Sequence, residues 1–466
     1  MSTVSPTSAP AFVHDLDTCV GCHACVIACA NENGLTPGRF WRQIVSFNSA
    51  HVPDLPVYHL SLACNHCLDA PCATACPAAA IARDEQTGAV LIDNAKCIGC
   101  RYCSWVCPFD APQFNGQAGV MEKCTFCNHR LLQNLAPACT SMCPTGALSF
   151  GRYGEKEGVS VTGFPESEIR PAISFLPMRG RAPQPAPPGA PIPDESQVAA
   201  WMVRDGGKIP ESKISLKTEW FLAVFSFVGI ALVAWFLSSL ARGPAIVPEI
   251  LAALGLAGIG LSTIHLGRKE RAWRAILSMR RSWLSREVIA YPLFIGMGVL
   301  SSAFFPEAAT IAWATAAVGG LLLVVIDGVY SAMARDWSSS LDGQASVLSA
   351  AFLVSVLTGN VSLAILTGLL RLYALMDRMQ KRKEGKGGSA QSNTLSISRL
   401  VVGLVIPAVL WMSDGGATSL VAGFALLGEF ADRLDFYDSL DVTTPRRTMA
   451  IALTKSISSI PSSRGG

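Results

Sequence analysis

From residue 218 onward the chain is dominated by apolar runs that approach the ~20 positions an α-helix needs to cross a bilayer. The pattern predicts membrane-spanning helices near 219–240, 246–266, 288–305 and 308–334. Weaker ones follow near 344–358, 361–376, 399–413 and 417–431. The reading is eight spans, or seven if residues 344–376 form one long helix. Residues 177–199, ahead of these runs, are rich in Pro, Gly and Ala, a composition that reads as an extended spacer. Two unlike halves are therefore joined.

The charge balance divides at the same place. Residues 1–217 carry 16 Lys and Arg against 18 Asp and Glu, a net of −2. Residues 218–466 carry 21 against 16, a net of +5. The overall +3 is thus no sign of nucleic-acid binding. It comes from basic loops between apolar segments: 267–287, with Arg268, Lys269, Arg271, Arg274, Arg280, Arg281 and Arg286, and 377–398, with Arg378, Lys381, Arg382, Lys383 and Lys386. With eight spans both loops lie on the side that also holds the two ends of the membrane half. The positive-inside rule makes that side cytoplasmic. Met1 to Pro10 lacks the basic start and apolar core of a signal peptide, and no twin-arginine signal is visible. The expected location is the cytoplasmic (inner) membrane, with the first half facing the cytoplasm.

All 16 cysteines lie in the first half, in four groups of four. Cys19, Cys22, Cys25 and Cys29 have C-x2-C-x2-C-x3-C spacing, repeated by Cys97, Cys100, Cys103 and Cys107. Cys64, Cys67, Cys72 and Cys76 are spaced x2, x4, x3, and Cys124, Cys127, Cys139 and Cys143 are spaced x2, x11, x3. Eight disulfides would suit a secreted chain, which this one does not resemble. Four zinc sites are the other alternative, but structural zinc sites rarely use C-x2-C-x2-C-x3-C. A cubane needs four converging thiolates. A tight turn supplies three, and in two-cluster ferredoxins the last cysteine of each run ligates the other cluster. Pro77, Pro108 and Pro144 follow the last cysteine of three groups, whereas Ala30 follows Cys29. That departure touches backbone conformation rather than ligand count.

Pairing neighbouring groups two and three leaves one with four. The expected ligand sets are Cys19, Cys22, Cys25 with Cys143; Cys124, Cys127, Cys139 with Cys29; Cys64, Cys67, Cys72 with Cys107; and Cys97, Cys100, Cys103 with Cys76. Lys96, Arg101, Lys123 and Arg130 stand beside the cysteines and either offset cluster charge or are ordinary surface residues. His23, His66 and His129 are expected near the clusters rather than on them.

The stretches CVGCHACVIACANENGL, CNHCLDAPCATACP, CIGCRYCSWVCPFDAPQFN and KCTFCNHRLLQNLAPACTSMCPTGALSFG resemble the four-cluster ferredoxin subunit of dimethyl-sulfoxide-reductase-type molybdoenzymes, over about residues 14–176. Some relatives carry Trp as the third residue of group three and hold a three-iron cluster there. Cys103 implies a fourth cubane here. In the second half, SLKTEWFLAVFSFVGIAL, STIHLGRKERAWRAILSMRRSWLSREVIAYP and LGEFADRLDFYDSL resemble the anchor subunit of the same enzymes, patchily over 214–440. That family's anchor holds no haem and exchanges electrons with menaquinol or ubiquinol. His265 is the single histidine of the membrane half, so bis-histidine haem ligation within it is not expected.

His265 ends the second expected span and Glu287 begins the third. Ionisable residues at membrane depth are costly and usually functional. The reading gives His265 the role of hydrogen-bond partner to a quinone oxygen and Glu287 that of proton relay. The alternative for Glu287 is an acid stabilised at a helix N-terminus. Asp327 and Arg371 are read as members of structural pairs.

The expected fold is an α+β ferredoxin-like domain of two pseudo-repeated two-cluster cores (1–176), a Pro-rich linker (177–213), an all-α polytopic membrane domain of about eight helices (214–440) and a C-terminal cytoplasmic tail (441–466). The expected cofactors are four [4Fe–4S] clusters, with quinone as diffusible substrate. The expected partners are a molybdopterin catalytic subunit and membrane lipid. No substrate site is visible in the chain itself. A cytoplasmic ferredoxin half looks more like relatives that oxidise sulfite, although the direction of electron flow stays open. A redox-driven ion pump using Asp327 and Arg371 is the competing class.

Overall fold

A computed structural model describes residues 9–49, 51–52, 55–155, 158–165, 169–179, 213–214, 216–241, 243–333, 341–383, 390–414, 419–440, 442 and 444–458. The linker expected over 177–213 lies outside the described residues apart from 177–179 and 213. The chain divides into two compact units. One takes Met1–Cys97, Arg101–Glu211 and Thr443–Gly466, and the other takes Ile98–Cys100 and Ser212–Val442.

The first unit is small strands and short helices laid around the cysteines. β1 (Pro10–Asp15) sits between β8 (Leu148–Arg152), antiparallel, and β9 (Ile173–Leu176), parallel. Three antiparallel hairpins make up the rest: β2 (Gln43–Phe47) with β3 (Tyr58–Leu62), β4 (Ile81–Arg83) with β5 (Val90–Ile92), and β6 (Gln113–Asn115) with β7 (Val120–Glu122). Helices α1 (Ala24–Glu32), α2 (Pro71–Ala75), α3 (Tyr102–Trp105), α4 (Asn128–Leu131) and α5 (Ala138–Ser141) are brief. So little regular structure buries a core only because the cysteines join it: Cys25 and Cys139 pack with Phe12, Leu60, Phe126 and Phe175.

The residue after the last cysteine sets where these helices stop. α2, α3 and α5 end before Cys76, Cys107 and Cys143, each followed by Pro, and Pro disfavours helical backbone in the residue ahead of it. Cys76 accordingly has an extended ψ of 112°. Ala30 imposes no such limit, so α1 runs through Cys29 to Glu32.

The segment expected as a separate C-terminal tail forms a helix within the first unit. α15 (Pro445–Ser458) presents Met449, Ala452 and Leu453 to the same core that holds Phe12 and Leu60. Met449 is 3 % exposed and lies where Gly163, with φ +90°, leaves room; a Cβ there would overlap its side chain.

The second unit is helical: α6 (Leu216–Leu240), α7 (Pro248–Ile264), α8 (Trp283–Val299), α9 (Ala309–Ser331), α10 (Ala345–Leu357), α11 (Val361–Lys383), α12 (Ala390–Leu400), α13 (Ile406–Asp414) and α14 (Ser419–Ser439). A π-turn extends α8 through Phe304, and another, Val401–Val405, joins α12 to α13. Four helices are long and apolar enough to span a membrane: Leu216–Leu240, Trp283–Phe304, Ala309–Ser331 and Asn393–Ser413. A fifth is added if α7 and the 3₁₀ turn Lys269–Ile276, bent by 108°, count as one. The described residues thus hold four or five spans by this measure, below the eight expected, although a helix stands at each of the eight places. Residues 344–376 form two helices, because the chain breaks at Gly359 (φ 72°) and Asn360.

α10 falls short on length alone, with 13 residues. α11 and α14 carry charges that would be prohibitive in lipid but are paired inside the unit. Arg371 reaches Glu429 at 2.9 Å and also Asp432; Arg378 reaches Asp432 at 2.6 Å and Asp435 at 3.3 Å; Arg382 reaches Asp435 at 2.7 Å. Arg399 of α12 joins Glu429 and lies 3.7 Å from Asp432. Arg371, Arg378, Arg399, Glu429, Asp432 and Asp435 are all buried. Small residues let the other helices approach: Gly258 of α7 lies against the Tyr291 hydroxyl of α8, where a Cβ would come within 2.2 Å.

Candidate iron–sulfur and quinone sites

Each C-x2-C turn in the first unit is built the same way. The residue before the second cysteine has positive φ in all four groups: Gly21 (65°), His66 (45°), Gly99 (69°) and Phe126 (61°). Gly21 has a further reason to be glycine, since a Cβ would meet the His59 ring at 2.9 Å. The left-handed turn aims backbone N–H groups at sulfur. His66 N–H donates to Cys64 Sγ at 3.5 Å and Phe126 N–H to Cys124 Sγ at 3.4 Å. Other amides serve the remaining groups: Ala80 to Cys76 (3.3 Å), Met121 to Cys97 (3.4 Å) and Leu148 to Cys143 (3.4 Å). Amides directed at sulfur stabilise the thiolate, the form that binds metal.

The cysteines that share surroundings are drawn from different sequence groups. One cavity is lined by Cys19, Cys22, Cys25 and Cys143, together with His14 and Ser61. A second is lined by Cys64, Cys67, Cys72 and Cys107, together with His66 and Lys123. Burial pushes the Cys29 thiol up to about 12, and Cys139 and Cys127 are among the groups whose charge it feels. Burial likewise raises Cys76, which also feels Cys97. Cys143 is the exception: against the upward push of partial burial, the N–H of Leu148 and its neighbours bring it below its usual value.

Thiols this buried resist ionisation unless something positive or metallic stands beside them. None of the cysteines is in a disulfide. Among the described residues, no three His, Cys, Asp or Glu side chains converge closely enough to hold a single metal ion. Four cysteines line each of the two cavities, the number of thiolates a cubane takes.

Fifteen of the sixteen cysteines are buried or half-buried, and only Cys22 is exposed. Val20 (50 %), Ile27 (54 %) and Met142 (63 %), sequence neighbours of Cys19, Cys25 and Cys143, present apolar side chains to the surface.

The basic and histidine residues singled out by sequence separate clearly. Lys96 pairs with Asp93 at 2.9 Å on the surface, and Arg130 with Glu32 at 3.1 Å. Arg101 lies over the Phe114 ring. Lys123 alone is deeply buried, at 3 %. His129 is exposed and bonds Glu32 at 2.7 Å, and His23 is exposed. His66 is buried, stacks on Phe126 and accepts the Val90 N–H at 2.9 Å through Nδ1. Burial and the nearby Lys123 hold its pKa well down, so it is neutral. Sequence reasoning missed Arg42, which is 1 % exposed and lies outside every cysteine motif.

In the second unit His265 caps the C-terminus of α7 and stacks on Phe221, with ring centroids 5.6 Å apart. Glu287 does not begin its helix: α8 starts at Trp283, capped by the Ser282 side chain. It therefore lies more than a turn in, is 4 % exposed and leaves Oε1 without a partner. The dipole of a helix terminus fades within the first turn, so capping does not explain this acid. An aromatic ladder joins the two residues: Phe221 and Phe225 lie one turn apart on α6, and Phe225 packs on Tyr291 at 4.8 Å, one turn beyond Glu287. Asp327 accepts the N–H groups of Ser346 (2.9 Å) and Val347 (3.3 Å), capping α10, and Arg371 belongs to the ionic cage. Both have structural duties.

Buried cysteine quartets with amides turned onto sulfur, carried in one chain with an apolar helical unit, define an iron–sulfur electron-transfer protein with its own membrane domain. Comparison with known proteins agrees in both halves. Residues 55–153 match the 4Fe-4S dicluster domain family, and residues 222–375 match the DMSO reductase anchor subunit (DmsC) family. The B component of the sulfite dehydrogenase of Allochromatium vinosum is 35 % identical over 199 residues, covering 36 % of this chain and 83 % of that protein. The thiosulfate reductase electron transfer subunit PhsB of Salmonella typhi is 42 % identical over 150 residues, covering 31 % and 77 %. The B component of the anaerobic dimethyl sulfoxide reductase of Escherichia coli is 38 % identical over 152 residues, covering 31 % and 74 %. The chain belongs to the iron–sulfur electron-transfer subunits of dimethyl-sulfoxide-reductase-type complexes, here fused to the anchor subunit.

Proposed function

We propose that the chain carries electrons between the membrane quinone pool and a separate molybdopterin catalytic subunit through four [4Fe–4S] clusters, held by the crossed ligand sets. The sharing of surroundings between Cys143 and group one, and between Cys107 and group two, carries this reading. Cys25 of the first set feels the charge of Cys139 in the fourth, and Cys124 of the fourth feels that of Cys64 in the second. The reading orders the wire as group one, group four, group two, group three. The group-one end is the most exposed, and the apolar rim of Val20, Ile27 and Met142 suits the docking of the catalytic subunit there.

The reading takes eight crossings, with α11 and α14 made tolerable by their mutual ion pairs, so that the membrane half begins and ends on one side. The basic loops make the shared side cytoplasmic.

The same reading puts the quinone site at His265, with Glu287 as proton relay. Oxidation of a quinol releases two electrons and two protons, and a buried carboxylate with one unpartnered oxygen is a suitable proton acceptor. The ion-pump reading loses ground because Asp327 and Arg371 are both engaged structurally.

Low-temperature EPR of the dithionite-reduced protein with iron quantitation, with and without a tight quinone-site inhibitor and in His265→Ala, tests the whole reading. The expected result is four cubanes, with one signal altered by inhibitor only when His265 is present. Full clusters indifferent to both would move the quinone site elsewhere.

A further inference from the structure

Among the described residues, two deeply buried cations in the first unit meet no carboxylate. Arg42 sits just before β2 with its guanidinium 4.5 Å from the centre of the Phe12 ring. Its Nη1 donates to the Ser61 carbonyl (3.2 Å) and hydroxyl (2.8 Å), and that hydroxyl lies 3.4 Å from Cys25 Sγ. Its Nε and Nη2 are buried without a partner. The groups whose charge it feels most are Cys139, Cys124, Cys25 and Cys29. Lys123 donates to the carbonyls of Val90 and of Cys124, the latter at 3.3 Å, and the charges it feels most are those of Cys64, Cys72 and Cys124. Among the described residues neither cation meets a carboxylate. An uncompensated buried charge is strongly unfavourable, so each position demands an anion of another kind.

The neighbours supply its identity. The cysteines around Arg42 belong to groups one and four. Those around Lys123 belong to groups two and four. A thiolate-bound cubane carries net negative charge, and one electron added to it makes that charge larger by one. We propose that Arg42 and Lys123 are inter-cluster cations, Arg42 shared by the clusters of groups one and four and Lys123 by those of groups four and two, and that each raises the reduction potentials of the two clusters it separates. This rests on the four-cubane reading above. It also makes the group-four cluster the one point of the wire under both charges, while the cluster of group three is under neither. The magnitude is appreciable: in a protein interior a neighbouring unit charge changes a one-electron equilibrium on the order of tenfold.

The test is a potentiometric EPR titration of the full-length protein in detergent, as wild type, Arg42→Gln, Arg42→Lys, Lys123→Gln and Lys123→Arg, with iron and sulfide measured in each. Each glutamine variant is expected to lower two of the four midpoint potentials by about tenfold in the reduced-to-oxidised ratio, or about 59 mV. One potential falls in both variants and one in neither. Arg42→Lys and Lys123→Arg keep the wild-type values, and they decide the matter if a glutamine variant fails to load its clusters. Four potentials that stay put, or that all fall together in fully loaded glutamine variants, overturn the proposal. So does the absence of a shared potential. Wild-type protein with fewer than four cubanes overturns the cluster reading itself, an outcome distinguishable because it is seen before any cation is changed.

Discussion

Asp432 is the hub of the buried ionic cage, and Asp432→Asn tests whether the cage holds the helical unit together. The substitution keeps the shape and removes one charge. Asp432 bonds Arg378 at 2.6 Å, meets Arg371, and lies 3.7 Å from Arg399. All three arginines are 1–2 % exposed. After the change, Arg371 and Arg399 share Glu429 and Arg378 keeps Asp435 at 3.3 Å. Removing one member of a buried pair typically costs about 3–5 kcal/mol, because the charge left behind has neither water nor partner. Asp432 serves three cations, so the upper part of that range is expected. For a unit of this size, each kcal/mol moves the melting temperature by about 2–4 °C. The apparent melting temperature of Asp432→Asn in detergent should therefore fall by about 10–20 °C. Arg382→Gln is the internal control. Arg382 stands at the rim, 9 % exposed, and its loss should lower the melting temperature by only a few degrees. Equal, small shifts for both variants would show that water reaches the cage, and the account of α11 and α14 as tolerable spans would fail with it.

Three further outcomes are expected. Cys103→Ala should convert one cubane into a three-iron centre, seen as a new EPR signal in the oxidised protein, while the other three clusters persist. Met142→Glu, alone or with Val20→Glu, should weaken capture of the catalytic subunit about tenfold or more without altering cluster content, as a charge in an apolar contact does; unchanged capture would move the docking face away from the group-one end. Met449→Ala should destabilise the first unit by about 2–5 kcal/mol, read as a lower midpoint for loss of the cluster absorbance on heating, since Met449 is 3 % exposed against Gly163.

The cysteine groups were legible in the sequence because cluster ligation is largely a local matter: a turn of a few residues either aims its thiolates or does not. The same locality made the Cys-Pro signal readable, and the helix that runs past Cys29 where Ala30 replaces Pro follows from it. Pairing between groups was less local and needed the ferredoxin rule. Arg42 could not be found this way at all. It sits between motifs, and only the folding of β2 against β3 carries it to Ser61 and Cys25. Lys123 was visible as a neighbour of Cys124, but adjacency does not distinguish it from Lys96, which ends at the surface beside Asp93.

The membrane half shows the converse. Apolar runs reported the helices that face lipid, where each residue is judged alone. α11 and α14 read weakly because the cost of their charges is cancelled by residues some 54–61 positions away, and a sliding window cannot see across that distance. The C-terminal segment read as a tail for a related reason. The apolar face of Pro445–Ser458 is a single stripe of Met449, Ala452 and Leu453, too thin to announce a partner. Its partner is a core assembled from residues near the other end of the chain. In both cases the decisive interaction joins segments remote in sequence.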